Sequence, residues 1–201
     1  VGKLVTVGAA LNQGTITPTS VFQVPYSLNL PDAGGPITDF HEHDGEALTA
    51  TGILAESSNT GTVLIGQTMT DDQRYSMMRA FGFGQETGIE LPGESAGLLR
   101  SSDQWQGRDR YVTMFGQAYA ITAIQEASAL ATIANGGVRI SPHIVKSWTN
   151  ADGTVEVPEA TQPVQVMEAG TASQLLTMME SVVEDDLGTA GASKVPGYRV
   201  D

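Results

Sequence analysis

A polar triplet, Ser57-Ser58-Asn59, separates two strongly apolar segments, and this feature constrains the fold most. The spacing of apolar residues predicts a buried helix over residues 46–56 and a second one that carries Val63, Leu64, Ile65 and Met69. A turn between two buried helices must satisfy its own hydrogen bonds, because water does not reach it. The triplet fits a helix C-cap followed by an N-cap, and it also fits a functional turn. The residues alone leave both interpretations open.

Further helices are predicted around this pair. Four segments have apolar residues at helical spacing: residues 3–12, 71–81, 122–134 and 172–187. Thr70 with Gln73, and Thr122 with Gln125, have the spacing of a capping box, which marks the start of the second and third of these helices. The first helix is expected to begin at or before the first residue, since its pattern is already established there.

The rest of the chain is irregular. Residues 15–45 contain four of the nine prolines and predict surface chain with a short strand at 21–26. Residues 86–110 form a long connection, and such a connection is usually functional or packed on itself. Residues 138–148 and 154–157 predict a hairpin. Because the sequence shows no internal repeat and no clear linker, we expect one domain, or a large one with a small lobe.

The composition excludes several classes of function. The chain has no cysteine, which removes thiol catalysis, iron–sulfur clusters, thiolate zinc sites and disulfides. Its formal charge of -13 disfavours binding to nucleic acid or to anionic membrane surfaces. No apolar run reaches the ~18 residues of a membrane span, and no signal peptide opens the chain. Any membrane anchor of the parent protein is therefore expected outside this sequence.

The three histidines give little support for a metal site. Within the run His41, Glu42, His43 and Asp44, residues two apart share one face of an extended segment, as metal ligands can. No third ligand follows at a recognisable spacing and the loop is polar throughout. A solvated loop is therefore the favoured interpretation, and no metal or cofactor is expected. A Ser-His-Asp triad is compatible with the composition, but no G-x-S-x-G motif supports one.

Lys3 is one of three lysines and lies at the start of an apolar helix. A cation at that place opposes the helix dipole and loses hydration. Such a lysine either extends to solvent or is held for proton transfer, and in the second case its pKa is expected to fall. It would then take a proton from a hydroxyl one helical turn earlier, at the position just before Val1.

Motifs spread along the chain carry a family resemblance. Residues 1–14, VGKLVTVGAALNQG, look like the end of the S-x-x-K motif and its helix in class B penicillin-binding proteins, the cell-wall transpeptidases of division and elongation. Residues 54–61, LAESSNTG, resemble their S-x-N motif. The resemblance continues in GIELPGESAGLL (88–99), FGQAYAITAIQEASALATIANGG (115–137), SPHIV (141–145) and VPGYRV (195–200). It thus covers essentially the whole chain.

The resemblance implies a fold and a reaction. The fold is the α/β (α+β) transpeptidase fold of penicillin-binding proteins and β-lactamases. Residues 1–201 form part of that domain, mostly its helical lobe with a hairpin, and the central antiparallel sheet is incomplete. In the reaction a serine attacks the penultimate D-Ala carbonyl of a peptidoglycan stem peptide, releases the last D-Ala and passes the acyl group to an amine of a neighbouring strand. β-Lactams mimic the donor and trap the acyl-enzyme.

The resemblance also assigns residues to roles. Lys3 matches the S-x-x-K lysine, which takes the serine proton and assists its return. Ser57 matches the S-x-N serine, which relays a proton toward the leaving amine. Asn59 matches its asparagine, which binds the acyl-donor amide and fixes Lys3. Ser58 is the variable middle residue, with a capping role only, and Gly116 and Gln117 are expected to line the groove.

Two family motifs do not occur in this sequence. The S-x-x-K serine would precede Val1, and the K-T-G motif would follow Asp201. The nucleophile and the carboxylate-binding strand are therefore expected outside these residues, and we expect residues 1–201 to be inactive on their own.

The same resemblance implies partners and a location for the parent protein. They are stem peptides, β-lactams and proteins of the division or elongation complexes, at the extracytoplasmic face of the plasma membrane, where the parent is anchored. Two other functions stay open: a non-catalytic cell-wall binding or scaffolding module derived from the same fold, and an unrelated serine hydrolase, which would need a histidine paired with a serine.

Overall fold

The computed structural model describes residues 1–158 and 161–200, and these form seven α-helices and eight short strands. The helices are α1 Gly2–Asn12, α2 Ala50–Ala55, α3 Asn59–Gly66, α4 Asp71–Ala80, α5 Asp109–Val112, α6 Ala123–Ala134 and α7 Ala169–Glu184. The strands are β1 Val21–Val24, β2 Ser27–Leu28, β3 Ile37–Thr38, β4 Glu46–Thr49, β5 Val138–Arg139, β6 Trp148–Thr149, β7 Val155–Glu156 and β8 Val164–Gln165. Short 3₁₀ turns occur at residues 102–104, 113–115 and 191–193.

Helix α1 is the centre of the structure. Every residue from Val5 to Leu11 is buried, so the helix is covered on all sides rather than along one stripe. Helices α2, α3, α4 and α7 pack around it. Gly8 permits part of this packing, because a Cβ there would lie 3.1 Å from both Leu175 Cδ2 and Met167 Cε. The apolar sequence of α1 thus gives the domain its core, and its first turn carries Lys3 to the edge of that core.

The strands pair two by two. Antiparallel ladders join β1 to β4, β2 to β3, β5 to β8 and β6 to β7, and no larger sheet occurs within the described residues. The ladder of β1 and β4 aligns Val21 with Thr49 and Val24 with Glu46, directly before the start of α2. This arrangement is the helical lobe with an incomplete sheet that the sequence predicts.

Both predicted capping boxes are confirmed. The Thr70 hydroxyl accepts from the Gln73 backbone N–H at 3.2 Å, and the Gln73 side chain accepts from the Thr70 N–H at 2.8 Å. Thr122 and Gln125 repeat the arrangement at the start of α6 with the same two distances, 3.2 and 2.8 Å. A local pattern predicts these starts well because every atom involved lies within one turn.

Two predictions about local structure are wrong. Residues 46–49 of the predicted helix 46–56 form strand β4, because they pair with β1, and Thr49 then caps α2 by accepting from the Gly52 N–H at 3.0 Å. The predicted hairpin is confirmed only at its tip, between β6 and β7. Its upper part, β5, pairs instead with β8. In both cases pairing with a distant segment decides the outcome.

The long connection 86–110 is packed on itself and on α6. The Glu94 carboxylate accepts from the backbone N–H of Thr87 at 2.8 Å and of Gly88 at 3.0 Å. The Gln125 side chain is 1% exposed, and its amide donates to the carbonyl oxygens of Gln85 at 2.6 Å and Ala96 at 2.9 Å. Hydrogen bonds to the Glu94 carboxylate and from the buried Gln125 amide therefore replace regular secondary structure in satisfying this segment.

None of the helices in the described part of the chain is both long and apolar enough to cross a lipid bilayer.

Replacing Gln125 with alanine tests how this connection is held. The substitution leaves two half-buried carbonyl oxygens without this donor and removes half of a capping box, so we expect the free energy of unfolding to fall by about 2 to 4 kcal/mol. Urea denaturation measures it. The exposed neighbour Glu126→Gln is the control and should cost less than about 1 kcal/mol. Equal losses in the two variants would contradict this account.

Candidate active site

The turn between α2 and α3 has an unusual backbone at Ser57. Ser57 has a φ of 56°, in the left-handed region where glycine is preferred. The turn is a Schellman motif, in which the Ser58 N–H donates to Ile53 O at 3.0 Å and the Ser57 N–H donates to Leu54 O at 3.1 Å. A serine in the glycine position implies that its side chain is needed there, because the strain brings no local gain.

Lys3 reaches this turn from the first turn of α1. Its Nζ donates to Ser57 Oγ at 2.8 Å and also to the Ser57 carbonyl oxygen. Burial lowers the pKa of Lys3 to about 8, and the negative charge of Asp39 partly opposes this effect. The predicted fall in the pKa is present. A lysine with such a pKa exists in both protonation states near neutral pH, as a proton carrier must.

Asn59 is the first residue of α3 and is half-buried. Its side-chain amide donates to the Thr38 carbonyl oxygen at 3.0 Å, which connects α3 to the short strand β3. Within the described residues the hydrogen bonds of Lys3 go to Ser57 rather than to Asn59, so the expected fixation of Lys3 by Asn59 is not observed. Ser58 has its predicted role as N-cap of α3, since its Oγ accepts from the Gly61 N–H at 2.8 Å.

Lys3, Ser57 and Asn59 line one cavity of about 570 Å³. Phe115 and Gln117 form part of its wall, as expected for Gln117, whereas Gly116 is not among the lining residues. The fold therefore brings Lys3 into one cleft with Ser57, 54 residues away in sequence, and with Asn59, as the hypothesis requires. Apolar side chains of Leu4, Leu54, Met179, Val182 and Val183 line the remainder, with residues from the chain's last segment.

The wall that carries Gln117 rests directly on the start of α1. A Cβ on Gly2 would lie 2.5 Å from Gly116 Cα and 2.6 Å from the Tyr119 hydroxyl, so no other residue fits at position 2 without movement. The Thr6 hydroxyl fastens the same segment by donating to Met114 O at 2.6 Å. Two glycine backbones in contact thus set the distance between Gln117 and Lys3.

Sequence reasoning missed Asp39. Its carboxylate accepts hydrogen bonds from the Ser58 hydroxyl at 2.7 Å, from the Thr60 N–H at 2.9 Å and from the Asn59 N–H. Burial alone would raise the pKa of Asp39, but the hydrogen bonds from Thr60, Ser58 and Asn59 outweigh it and hold the pKa below its ordinary value. An aspartate in a loop of several polar residues carries no local signal, so only the folded chain reveals it.

The histidine loop has a different role from the metal site considered above. His43 lies 3.3 Å from Asp39 and 3.7 Å from Glu46, through opposite ring nitrogens, while His41, Glu42 and Asp44 are exposed. No group of three potential metal ligands converges anywhere within residues 1–158 and 161–200.

With this geometry in place, comparison with known proteins identifies the family. The family model of the penicillin-binding protein transpeptidase domain matches residues 1–201. The chain belongs to this family. Penicillin-binding protein PbpB of Mycolicibacterium smegmatis is 38% identical over 205 residues, which cover all of this chain and 31% of that protein. The peptidoglycan D,D-transpeptidase FtsI of Escherichia coli is 29% identical over 98% of the chain and 31% of its own length.

Solved structures confirm the fold of this family member. The crystal structure of penicillin-binding protein 3 from Mycobacterium tuberculosis has a TM-score of 0.93 at 36% identity, over 98% of this chain and 45% of that one. The same protein in complex with ampicillin gives a TM-score of 0.92 over 98% of this chain and 44% of that one. The expected transpeptidase fold is therefore confirmed. The chain spans about a third of the length of the curated relatives that it matches.

The strained serine gives a stability test that is independent of activity. Ser57→Gly and Ser57→Ala both remove the hydroxyl, but only alanine keeps a Cβ in the left-handed conformation. We expect the glycine variant to be more stable by about 1 kcal/mol in urea denaturation. Glu56, with a φ of -81°, provides the matched control, and there the alanine variant should be the more stable one. The same order at both positions would contradict the strain.

The lowered pKa of Lys3 predicts a pH dependence of stability. Between pH 8 and 10.5 the folded chain has released the Lys3 proton and the unfolded chain still holds it, so the free energy of unfolding rises with pH in this window. Lys3→Met should lower the slope of the unfolding free energy against pH by the contribution of up to one bound proton. Urea denaturation at several pH values measures this slope. The exposed Lys146→Met is the control and should keep the wild-type slope. Parallel curves for Lys3→Met and the wild type would exclude the pKa shift.

Proposed function

We propose that residues 1–201 are part of one transpeptidase domain, and that the full-length protein is a serine-type peptidoglycan D,D-transpeptidase that also binds β-lactams. The observation that carries the proposal is the contact of Lys3 Nζ with Ser57 Oγ at 2.8 Å, inside the cavity that also holds Asn59. The names of the relatives support it, since one is a peptidoglycan D,D-transpeptidase and another was solved with ampicillin.

Lys3 would act on the serine that the family motif places three residues before it. One helical turn separates residues i and i+3, so the two side chains share a face of α1. The neutral amine accepts the hydroxyl proton while the serine oxygen attacks the penultimate D-Ala carbonyl. The C–N bond to the last D-Ala then breaks, an ester forms on the serine, and the leaving amine receives a proton.

Ser57 and Asn59 would serve the same step from the opposite wall. The Ser57 hydroxyl touches Lys3 and is exposed to the cavity, so it can pass the Lys3 proton to the leaving D-Ala amine. Asn59 presents an amide that can pair with the peptide group of the acyl donor. In the second half-reaction an amine from a neighbouring strand attacks the ester and gives up a proton to the neutral Lys3. An amide bond forms as the ester C–O bond breaks, and Lys3 passes that proton to the serine oxygen.

The location and partners of the full-length protein follow from its substrate. Peptidoglycan lies outside the cytoplasm, so we place the activity at the extracytoplasmic face of the plasma membrane, with a membrane anchor outside residues 1–201. Proteins of the division or elongation complexes are the proposed partners. The alternative of a non-catalytic scaffolding module has no specific observation in its favour.

Acylation of the full-length protein by a fluorescent penicillin tests the proposal. We expect wild-type labelling, and a loss of about 100-fold or more in the acylation rate for Lys3→Ala and for Asn59→Ala, because each removes a group that acts in the reaction. Lys146→Ala, at an exposed site, is the control and should be labelled normally. Normal labelling of the Lys3 or Asn59 variant would refute its assigned role, and an unlabelled wild-type protein would favour the scaffolding module.

A further inference from the structure

We propose that Asp39 is a positioning residue for the transfer reaction: its carboxylate fixes the turn that presents Ser57 and Asn59 to the cavity. Asp39 itself does not touch the reacting atoms. The inference rests on the proposed function, and it adds a residue to which the sequence motifs assign no role.

The carboxylate satisfies the first two N–H groups of α3. Its Oδ1 accepts from the backbone N–H groups of Asn59 and, at 2.9 Å, Thr60. Its Oδ2 accepts from the Ser58 hydroxyl at 2.7 Å. The next N–H, of Gly61, is capped by Ser58 Oγ. Because the first N–H groups of a helix have no partner inside it, Asp39 and Ser58 together complete this terminus.

The Thr60 hydroxyl strengthens the same attachment. It is fully buried and lies 2.9 Å from Asp39 Oδ2 and 2.8 Å from the Pro25 carbonyl oxygen. The negative carboxylate also lies at the positive end of the α3 dipole, where an anion is stabilising. The turn therefore has charge-assisted hydrogen bonds directly after its strained residue, which is the arrangement needed to hold a serine in the left-handed conformation.

The Asp39 carboxylate is also contacted by His43. The His43 Nδ1 accepts from the Gly45 N–H at 3.2 Å, so the proton of a neutral ring lies on Nε2, and Nε2 is 3.3 Å from Asp39 Oδ2. The Tyr26 ring packs edge-on against the imidazole, with the ring centroids 5.9 Å apart. The contact with His43 limits the movement of the Asp39 carboxylate, and this in turn limits the movement of the turn that the carboxylate holds.

The charge of Asp39 also acts on Lys3 across the turn. It opposes the effect of burial and so raises the pKa of the lysine relative to a neutral residue at position 39. Removal of this charge should lower the Lys3 pKa further. The acidic limb of the acylation rate, where Lys3 becomes protonated, should then move to lower pH.

The test uses the full-length protein and a fluorescent penicillin. Asp39→Ala should lower the acylation rate constant at saturating penicillin by about 100-fold, with a much smaller change in the dissociation constant of the first complex, because the turn is displaced and not removed. Asp39→Asn keeps an acceptor oxygen for the N–H groups of Asn59 and Thr60. We therefore expect this variant to recover most of the rate, with its acidic limb at lower pH than in the wild type.

A control separates positioning from general stability. Thr70→Ala removes the cap of α4, away from the cavity, and should lower the melting temperature without changing the acylation rate of the folded protein. Hydrogen exchange provides a readout independent of activity: Asp39→Ala should lose protection at the Asn59 and Thr60 amides, and Thr70→Ala should not.

The possible outcomes are distinct. Wild-type rates and amide protection in Asp39→Ala would overturn this inference and leave the proposed function intact, and so would a rate loss equal to the unfolded fraction. An unlabelled wild-type protein would overturn the proposed function together with the catalytic importance of Asp39. If Asp39→Ala does not fold, Asp39→Asn and Thr60→Val decide. The proposal would be contradicted if the acidic limb of the acylation rate were unshifted in Asp39→Asn and the acylation rate were unchanged in Thr60→Val.

Discussion

The contact between the Lys3 ammonium group and Ser57 is the interaction on which the rest of the site depends. It joins the first turn of the buried helix α1 to the turn between α2 and α3. Lys3 and Ser57 are 54 residues apart in sequence. Burial lowers the pKa of Lys3, and Ser57 has a strained, left-handed backbone conformation. Neither the buried lysine nor the strained serine stabilises the fold. A functional role for the two side chains in one cavity explains why both are present.

The surrounding structure maintains this contact by close packing and by hydrogen bonds. On one side, Gly2 and Gly116 allow two backbones to touch, so that the wall carrying Gln117 lies against the start of α1. On the other side, Asp39 satisfies the start of α3 and is backed by His43. The site is thus built on the ends of helices whose bodies are fixed in the core, which gives its side chains a rigid support.

Local physics accounts for what could be predicted about the fold. The capping boxes at Thr70 and Thr122 and the apolar spacing of α1, α4 and α6 lie within single helices, so the sequence identifies them directly. The spacing of apolar residues predicts a helix that includes residues 46–49, but these residues form a strand because β1 pairs with them. Strand β5 likewise pairs with β8 and not with the nearer β6. Pairing energy from distant segments is not encoded locally.

The sequence by itself determined the chemistry that is available: no thiol, a lysine at the start of an apolar helix, and a serine and an asparagine in a turn between buried helices. Resemblance to a family assigned those three residues to roles. Only the tertiary structure placed Lys3 against Ser57, turned Asn59 toward Thr38 and brought Asp39 under the start of α3. The reason is physical: burial, which sets a pKa, and a hydrogen bond between distant residues both depend on neighbours that only folding supplies.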